Sequence, residues 1–357
     1  MALGTQTKNT LCFAKGNFAY LSRMHPDLGG PRDFAAFKKA AKYFLRKKPK
    51  LIAYDLHSEY EATKYALGLS PITYSLSPIQ HHHAHIASCM AECSLRNQKV
   101  IGVAFDGTGL GADNTLWGGE FLLCDYKSFR RKARIKEIPL IGGQAAIREP
   151  GRLSSAWLYL AYKEKFLDLG IGFTRNFDRK KWRFLKRMYL AGYNCPATSS
   201  MGRLFDAAAA LILVKYRADF EAELAMELEK LARGYKLQTT NYRFKIMKSP
   251  AGYVIDPLPL FRGIVADLKR REPPGKIAYK FHLAVAQMIR DTCLLLRRQH
   301  RINRIVLSGG VFQNKLLLSL SLDLLYKEAF RVITHARLSC NDSGVSLGQA
   351  VIANWGN

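Results

Sequence analysis

The segment Val100–Asp125 reads VIGVAFDGTGLGADNTLWGGEFLLCD and decides the fold. Val100–Phe105 and Thr115–Asp125 are rich in β-branched and aromatic residues, which predicts two strands. The intervening Asp106–Asn114 contains the turn formers Gly, Asp and Asn. A dinucleotide-binding Gly-x-Gly-x-x-Gly turn has to lead into a helix. Because a strand follows here, we interpret the segment as a β-hairpin whose glycines let the backbone approach a phosphate.

A similar layout occurs at the start of the sequence. A short strand at Ala2–Gly4 and a polar turn at Thr5–Asn9 are followed by predicted strands at Thr10–Ala14 and Phe18–Leu21. Both halves continue with helices and further strands. The predicted elements are helix Pro31–Lys47 and strand Leu51–Asp55 in the first half, and strand Ala133–Pro139, helix Phe281–His300 and strand Arg304–Leu307 in the second.

Two β-β-β-α-β-α units in tandem predict an α/β protein with two RNase H-like lobes, the ASKHA fold shared by actin, Hsp70 and sugar kinases. We expect lobes at residues 1–97 and 98–357, with a helical insertion at about 151–300. The last helix, at about 343–354, is expected to pack back on the first lobe. Proteins with this fold bind a nucleotide in the cleft between the lobes. A generic two-lobed α+β protein is the alternative.

Residues 81–85 read His-His-His-Ala-His. On a helix, His81 and His85 lie one turn apart on the same face, so both rings can bind one divalent ion. His82 and His83 point elsewhere, and they either support the ligands from outside the metal site or are solvated. Asp106 ends the first hairpin strand and is a third candidate ligand. Asp342 precedes the last predicted helix and is either its N-cap or a fourth ligand. Two histidines and two aspartates suit iron or zinc, with a position open for a substrate oxygen.

The seven cysteines include no Cys-x-x-Cys pair, which predicts a reducing, cytoplasmic environment. Cys89 and Cys93 share a helical face with His81 and His85. However, the helix from His81 to Cys93 would span about 18 Å, too far for one ion. We therefore assign these cysteines to the core. The longest apolar run is too short to cross a bilayer, and no export signal opens the sequence.

Two further motifs predict a ligand cleft. Ile305–Asn314 contains a strand, two glycines and polar residues before a helix, and amides at such a position bind anions or a ribose. A structural turn is the alternative. In Ser199–Asp206, Ser200 is predicted to cap a helix. Asp206 either pairs with Arg203, three residues earlier, or accepts hydrogen bonds from ligand hydroxyls.

The sequence has 55 Lys and Arg against 28 Asp and Glu, a formal charge of +27. Its basic clusters lie at Lys38–Lys50, Arg130–Lys136 and Arg179–Arg187. This charge is compatible with nucleic acid, with an acidic protein surface or with an anionic substrate. Because the basic residues alternate with apolar ones at helical spacing, solvated helix faces are the simpler interpretation.

Together these motifs resemble the C-terminal half of the HypF family of carbamoyltransferases, which act in [NiFe] hydrogenase maturation. The resemblance covers nearly the whole chain. It rests on Ala2–Gly4, Lys8–Thr10, Asp55–His57, His81–Cys89, Val103–Gly109, Trp117–Phe121, Ala146–Pro150, Thr198–Asp206, Phe281–His282, Ser308–Asn314 and Asn341–Gly344. This half is also similar to the tRNA threonylcarbamoyl transferase TsaD, which has the same fold and binds a metal through His-x-x-x-His.

The resemblance implies a reaction and the residues that perform it. Carbamoyl-adenylate, made from carbamoyl phosphate and ATP by a YrdC-like domain, would donate its carbamoyl group to the C-terminal cysteine of HypE, on the way to the cyanide ligands of the hydrogenase. The implied metal ligands, which are also the implied catalytic residues, are His81, His85, Asp106 and Asp342. The implied nucleotide-binding residues are Lys8, Gly107, Gly109, Gly202, Asp206, Gly309, Gly310 and Asn314.

The sequence also departs from the family pattern. It contains no acylphosphatase segment, paired zinc fingers or YrdC-like domain, so we expect a separate chain or a missing N-terminal half to supply carbamoyl-adenylate. Gln6 replaces a usual Glu, Gly151 a usual Trp, and Phe220–Glu223 a usual Tyr-Glu-Gly-Gln. Three rival hypotheses remain: transfer to tRNA, as in TsaD; transfer to a small-molecule hydroxyl; and a non-catalytic nucleotide-binding subunit.

Overall fold

The computed structural model describes residues 1–69 and 74–356 of the chain. The strands are β1 (Thr7–Asn9), β2 (Cys12–Lys15), β3 (Phe18–Leu21), β4 (His25–Asp27), β5 (Leu51–Asp55), β6 (Ser75–Ile79), β7 (Val100–Leu110), β8 (Leu116–Cys124), β9 (Phe129–Ile135), β10 (Ile138–Pro139), β11 (Ala197–Thr198), β12 (Lys245–Ser249), β13 (Gly252–Asp256), β14 (Arg304–Ser308) and β15 (Arg331–Thr334). The α-helices are α1 (Pro31–Leu45), α2 (Glu61–Leu67), α3 (His81–Glu92), α4 (Ala145–Arg148), α5 (Gly151–Tyr162), α6 (Gly172–Arg175), α7 (Arg179–Leu190), α8 (Met201–Leu213), α9 (Glu223–Ala232), α10 (Leu258–Lys269), α11 (Pro274–His300), α12 (Lys315–Lys327) and α13 (Val345–Trp355). Short 3-10 helices lie at Lys163–Asp168, Gly310–Gln313 and Asp342–Gly344. Every helix in these two described ranges is too short or too polar to cross a bilayer.

The first sheet contains β2, β3, β5, β6 and the first residues of the chain. β2 pairs antiparallel with β3, and β5 pairs in parallel with β6. Ala2 connects the two pairs, because it pairs antiparallel with Cys12 and parallel with Ala53. The strand predicted at Ala2–Gly4 is thus reduced to a bridge. Gly4 leaves the extended conformation with a φ of 73°.

The second sheet has the strand order β12-β13-β9-β8-β7-β14-β15. β7 and β8 form the predicted antiparallel hairpin, whereas β14 runs parallel to both β7 and β15. Long helices connect these parallel strands. Together with the smaller first sheet, this arrangement confirms the predicted α/β ASKHA fold class.

β7 is longer than the sequence predicts. A turn was expected at Asp106–Asn114, but the strand runs to Leu110. Its pairing with β8 shifts register between Phe105 and Gly109, where extra residues of β7 bulge out of the ladder. Bulges re-aim side chains and are common beside active sites. Asp106 lies in this bulge.

Two other elements differ from their predicted bounds. The strand expected at Ala133–Pro139 is divided into β9 and β10, because the chain changes partners from β8 and β13 to β11. Helix α11 begins at Pro274 rather than Phe281. Its first turns are buried, so packing extends the helix beyond the segment that the sequence pattern identified.

Helices α3 and α13 pack against each other between the two sheets. α13 contacts β2 and β5, while α3 contacts β7 and β14. The helices approach closely because α13 presents Gly348, on which a Cβ atom would lie 1.8 Å from the carbonyl oxygen of Ala84. On the other side of α3, Gly102 of β7 leaves space for Ile86. Contacts with main-chain atoms on both sides therefore fix the position of α3.

Helix α13 also holds the turn at the start of the chain. The Gln349 side chain accepts a hydrogen bond from the Gly4 amide at 2.9 Å and donates one to the Gly4 carbonyl at 3.1 Å. The Thr10 hydroxyl donates to the Ser343 carbonyl at 2.8 Å. Hydrogen bonds on both sides of β1 thus connect α13, and the turn before it, to the start of the chain.

We predict that Gly348→Ala destabilises the protein by about 1–3 kcal/mol, the range typical of overpacking. Helix propensity alone predicts the opposite sign, a gain of about 0.5–1 kcal/mol. Chemical unfolding followed by circular dichroism measures the difference. Asn354→Ala, at an exposed position of the same helix, is the control and should change stability by less than about 0.5 kcal/mol. A more stable Gly348→Ala variant would contradict the proposed close packing.

Candidate metal centre and nucleotide cleft

The N-terminus of α3 is fixed by its capping residue. The Gln80 side-chain oxygen accepts a hydrogen bond from the His83 amide at 2.8 Å, and the Gln80 amide donates to the Leu110 carbonyl at 3.1 Å. All residues from His81 to Met90 are buried. The first turn of α3 is thereby held beside the bulged end of β7.

Four predicted ligands converge at this point. The Nε2 atom of His81 lies 3.2 Å from Asp106 Oδ2 and 3.7 Å from Asp342 Oδ1. The Nε2 atom of His85 lies 3.4 Å and 3.6 Å from the same two oxygens. One ligand atom from each side chain lies within 4.8 Å of all the others. The structure therefore brings together three segments that are distant in sequence.

The chemistry of this group fits a divalent cation. His85 Nε2 is buried and has no hydrogen-bond partner, an arrangement that costs about 1–3 kcal/mol when nothing compensates. A bound cation would satisfy this nitrogen. Two imidazoles and two carboxylates form a mixed N/O donor set that suits iron or zinc.

Asp55 supports this group from the first sheet. Its Oδ2 atom accepts a hydrogen bond from His81 Nδ1 at 2.8 Å, and both side chains are completely buried. Its Oδ1 atom accepts from the His57 amide at 3.0 Å. A carboxylate in this position fixes the ring and the tautomer of a metal-binding histidine. Sequence reasoning did not give Asp55 a role, although its place at the carboxyl end of a buried parallel strand was a usable signal.

The charges in the group depend on one another. Burial lowers the pKa of His81, but Asp55 and the hydrogen bond to Asp106 outweigh burial and hold this pKa well above its usual value. Burial raises the pKa of Asp106, but the hydrogen bond from His81 and the nearby ring of His85 outweigh it and hold this pKa well below its usual value. Positive charge is therefore stabilised at the centre of the four side chains.

The other residues of the histidine helix lie outside the group. His82 is next to Gln80, and His83 Nε2 lies 2.6 Å from the Asp125 carbonyl oxygen. Both rings are buried, so of the two expected alternatives the solvated one is wrong. Cys89 is buried and Cys93 is partly buried, as their assignment to the core requires.

Asp342 is not the N-cap of the last helix, so this alternative is wrong. The residue in the N-cap position of α13 is Gly344, and the side chain that accepts from the Ser343 amide is that of Asn341. Asp342 belongs to a short 3-10 turn that precedes α13. Its carboxylate therefore faces His81 and His85.

The two glycines after β14 do not lie at the N-terminus of an α-helix, which is where the sequence predicted an anion site. Gly309 has a φ of 106°, and a Cβ atom there would lie 2.2 Å from the Phe105 carbonyl oxygen. The Gly310 amide donates to Asp106 Oδ1 at 2.9 Å. A 3-10 turn follows, and α12 begins only at Lys315. The Gly310 amide thus orients a predicted metal ligand.

Several predicted nucleotide-binding residues are engaged within the protein. Asn314 caps α12 by accepting from the Leu317 amide at 2.9 Å, and its amide lies 2.9 Å from His282 Nε2. A Cβ atom on Gly109 would lie 2.6 Å from His82 Cε1, so Gly109 packs on the histidine rings. Lys8 lies in β1, which contacts the turn that carries Asp342.

The N-terminus of α8 packs against the bulge of β7. Ser200 caps the helix, as predicted, and donates to the Gly107 carbonyl at 2.7 Å. Gly202 lies against Gly107, since a Cβ atom there would be 2.9 Å from Gly107 Cα. Asp206 pairs with Arg203 at 2.9 Å, and both are buried. Burial raises the pKa of Asp206 even though Arg203 lowers it.

Tyr60 is a residue that sequence reasoning missed. Its ring stacks on His57 with centroids 4.3 Å apart. Burial and the charges of Asp55, Asp342 and Asp106 raise the pKa of Tyr60 well above its usual value. The phenol is therefore neutral and is influenced by the charges of the cluster.

The chain is similar to one family of known proteins over nearly all of its length. A family described as "Carbamoyltransferase, Kae1-like Domain, second subdomain" matches residues 102–349, and one described as "HypF Kae1-like domain" matches residues 1–92. Carbamoyltransferase HypF of Rhodobacter capsulatus is 34% identical over 99% of this chain and 46% of its own length. A crystal structure of full-length HypF in the phosphate- and nucleotide-bound form has 39% identity and a TM-score of 0.92, over 99% of this chain and 46% of that one.

The chain spans about half the length of most of these relatives. A shorter relative also exists: the carbamoyltransferase HypF homolog of Cupriavidus necator is 32% identical over 99% of this chain and 91% of its own length. By sequence, by family match and by fold, the chain therefore belongs to the HypF carbamoyltransferase family and corresponds to its Kae1-like domain.

Proposed function

We propose that this protein is a metal-dependent carbamoyltransferase that acts in [NiFe] hydrogenase maturation. Its donor would be carbamoyl-adenylate, and its acceptor the C-terminal cysteine thiol of a HypE-like protein, on the way to a cyanide ligand. The convergence of His81, His85, Asp106 and Asp342 carries the proposal, together with membership of the HypF family. A separate chain or a missing N-terminal half, with YrdC-like, acylphosphatase and zinc-finger parts, would supply the donor.

These four side chains would hold iron or zinc. When bound, such an ion supplies Lewis-acid chemistry to an oxygen that gains negative charge in the transition state. The protein contributes orientation: Asp55 holds the His81 ring so that Nε2 faces the centre, and the Gly310 amide holds Asp106. Burial and the charges of these carboxylates raise the pKa of Tyr60, so its phenol stays neutral.

The nucleotide would lie in the adjacent cleft. The nucleotide-bound form of a relative with 39% identity supports this part of the proposal. Gly107 and Gly202 lie against each other next to Asp106, and Asp206 is one turn further along α8, so these residues would line one side of that cleft. The assigned phosphate and ribose residues Lys8, Gly107, Gly109, Gly202, Asp206, Gly309, Gly310 and Asn314 remain part of this proposal.

We predict that the purified protein retains about one metal ion per chain, and that His85→Ala and Asp342→Ala lose it. Each substitution removes one of four ligand atoms that meet in the cluster. Elemental analysis by mass spectrometry measures the metal content. His83→Gln changes a histidine of the same run outside the cluster and should retain the metal. Normal metal content in His85→Ala and Asp342→Ala, or full activity of metal-free protein, would refute the metal centre.

We predict that Asp55→Asn weakens metal binding by about 10–100-fold, the range found when the partner of a metal-binding histidine is changed. The substitution keeps the shape of the side chain but removes the charge that holds the His81 tautomer. Competition with a chelator gives the dissociation constant. Asp113→Asn, which removes a carboxylate paired with Arg131 on the β7–β8 hairpin, is the matched control. Equal affinities for the Asp55→Asn variant and the unmodified protein would contradict the role of Asp55.

Carbamoyl transfer itself is tested with carbamoyl-adenylate and a peptide that ends in cysteine. We expect mass spectrometry to detect the gain of one carbamoyl group on the peptide, with no gain in the Asp342→Ala variant. A peptide that ends in serine is the control for the thiol. No transfer to the cysteine peptide, combined with transfer to tRNA or binding of stoichiometric tRNA, would favour the TsaD-like alternative that the +27 charge permits.

A further inference from the structure

A chain of hydrogen bonds joins three segments next to the proposed metal centre. His335 Nε2 lies 2.8 Å from the Ser308 hydroxyl, and His335 Nδ1 lies 2.6 Å from Glu92 Oε2. Glu92 ends α3, Ser308 ends β14, and His335 follows β15. Three elements that are distant in sequence are therefore connected through one imidazole.

Glu92 is also bound by the main chain beyond His335. Its Oε1 atom accepts hydrogen bonds from the amides of Ala336 and Leu338, each at 2.9 Å, and from the amide of Arg337. Burial raises the pKa of Glu92, but these amides and His335 outweigh it and lower this pKa. Glu92 is therefore an ionised carboxylate with a full set of donors.

The ionisation state fixes the direction of the hydrogen bonds. Burial lowers the pKa of His335 despite the opposing effect of Glu92, so the ring is neutral. A neutral ring that donates from Nδ1 to Glu92 has an acceptor at Nε2, which receives the hydrogen of Ser308. Serine, histidine and a carboxylate in this order resemble a hydrolase triad. Ser308 is completely buried, however, so no substrate reaches its oxygen.

The chain of hydrogen bonds is connected to the ligands through the backbone. Ser308 precedes Gly309, whose amide donates to the Cys340 carbonyl at 3.0 Å. Gly310, the next residue, donates to Asp106. Asp342 follows Cys340 by two residues, and α3 carries both ligand histidines. The three connected segments thus hold or orient all four predicted ligands.

We propose that Glu92, His335 and Ser308 are positioning residues that set the metal affinity of the centre by fixing Asp106 and Asp342 relative to α3. This inference rests on the metal centre proposed above. None of the three side chains belongs to the group of ligand atoms, so their effect passes through the backbone turns at Gly309 and Cys340. A merely structural role would lower stability without changing metal affinity in the folded protein.

The test is a titration of metal-free protein with Co²⁺, whose visible absorption reports ligand geometry. We expect Ser308→Ala and Glu92→Gln each to raise the dissociation constant for Co²⁺ by about tenfold and to shift the absorption bands. A tenfold change is near the lower limit of the effect of residues that support metal ligands without binding the metal. His335→Asn keeps a donor near Nδ1 but loses the acceptor for Ser308. It should therefore match Ser308→Ala, and combining the two should add no further loss, because both remove the same link.

Ser321→Ala is the matched control. Its hydroxyl is also buried and donates to the Leu317 carbonyl at 2.7 Å, but within α12. This variant should be less stable in thermal unfolding and yet bind Co²⁺ with unchanged affinity and spectrum. If Ser308→Ala does not fold, Glu92→Gln and His335→Asn carry the test, since Glu92→Gln nearly preserves side-chain volume and His335→Asn keeps a polar donor.

The outcomes separate this inference from the proposal on which it rests. Failure of the unmodified protein to bind Co²⁺ would reject the metal centre. Binding by the unmodified protein, with the same affinity and spectrum in folded Glu92→Gln and His335→Asn variants, would reject only the positioning role. An equal loss of affinity in Ser321→Ala would also reject it, because the effect would then follow stability in general.

Discussion

The imidazole of His81 connects the two sheets of this protein. Its Nδ1 atom binds Asp55 at the end of β5, and its Nε2 atom lies against Asp106 in the bulge of β7. All three side chains are buried, and charged groups in such a place are tolerated only when they are paired and hydrogen-bonded. The position of each sheet therefore constrains the other, and α3 must lie between them with its first turn at both strand ends.

Much of this arrangement follows from local patterns in the sequence. Alternation and turn residues identified the β7–β8 hairpin, and the spacing of His81 and His85 placed both rings on one face of α3. The continuation of β7 past Asp106 could not be predicted from such patterns. Glycines there signal a turn, but in the structure they make room for the rings of α3. Asp55 and the Gly310 amide were also missed, since no local pattern reveals contacts between residues so far apart. The ligand and nucleotide roles remain predictions.

The charge of the molecule is distributed unevenly. In α7, Trp182 and Leu185 are buried, whereas most of the basic residues around them are exposed. This supports the interpretation of such clusters as solvated faces. The predicted metal centre has the opposite character, because acidic groups dominate it and it is buried: two carboxylates and Asp55 surround two histidines. A cation at this point would balance the negative charge of these three carboxylates.

The hydrogen bonds between Gln349 and Gly4 join residues 345 positions apart. During translation, the turn at the start of the chain emerges long before α13 exists, and its partners are missing until residues Val345–Trp355 have left the ribosome. Contacts of such high sequence separation form slowly, because a long loop must close before they contribute. The first sheet is therefore expected to pass through a period in which the surface that α13 later covers is open to chaperones or to aggregation.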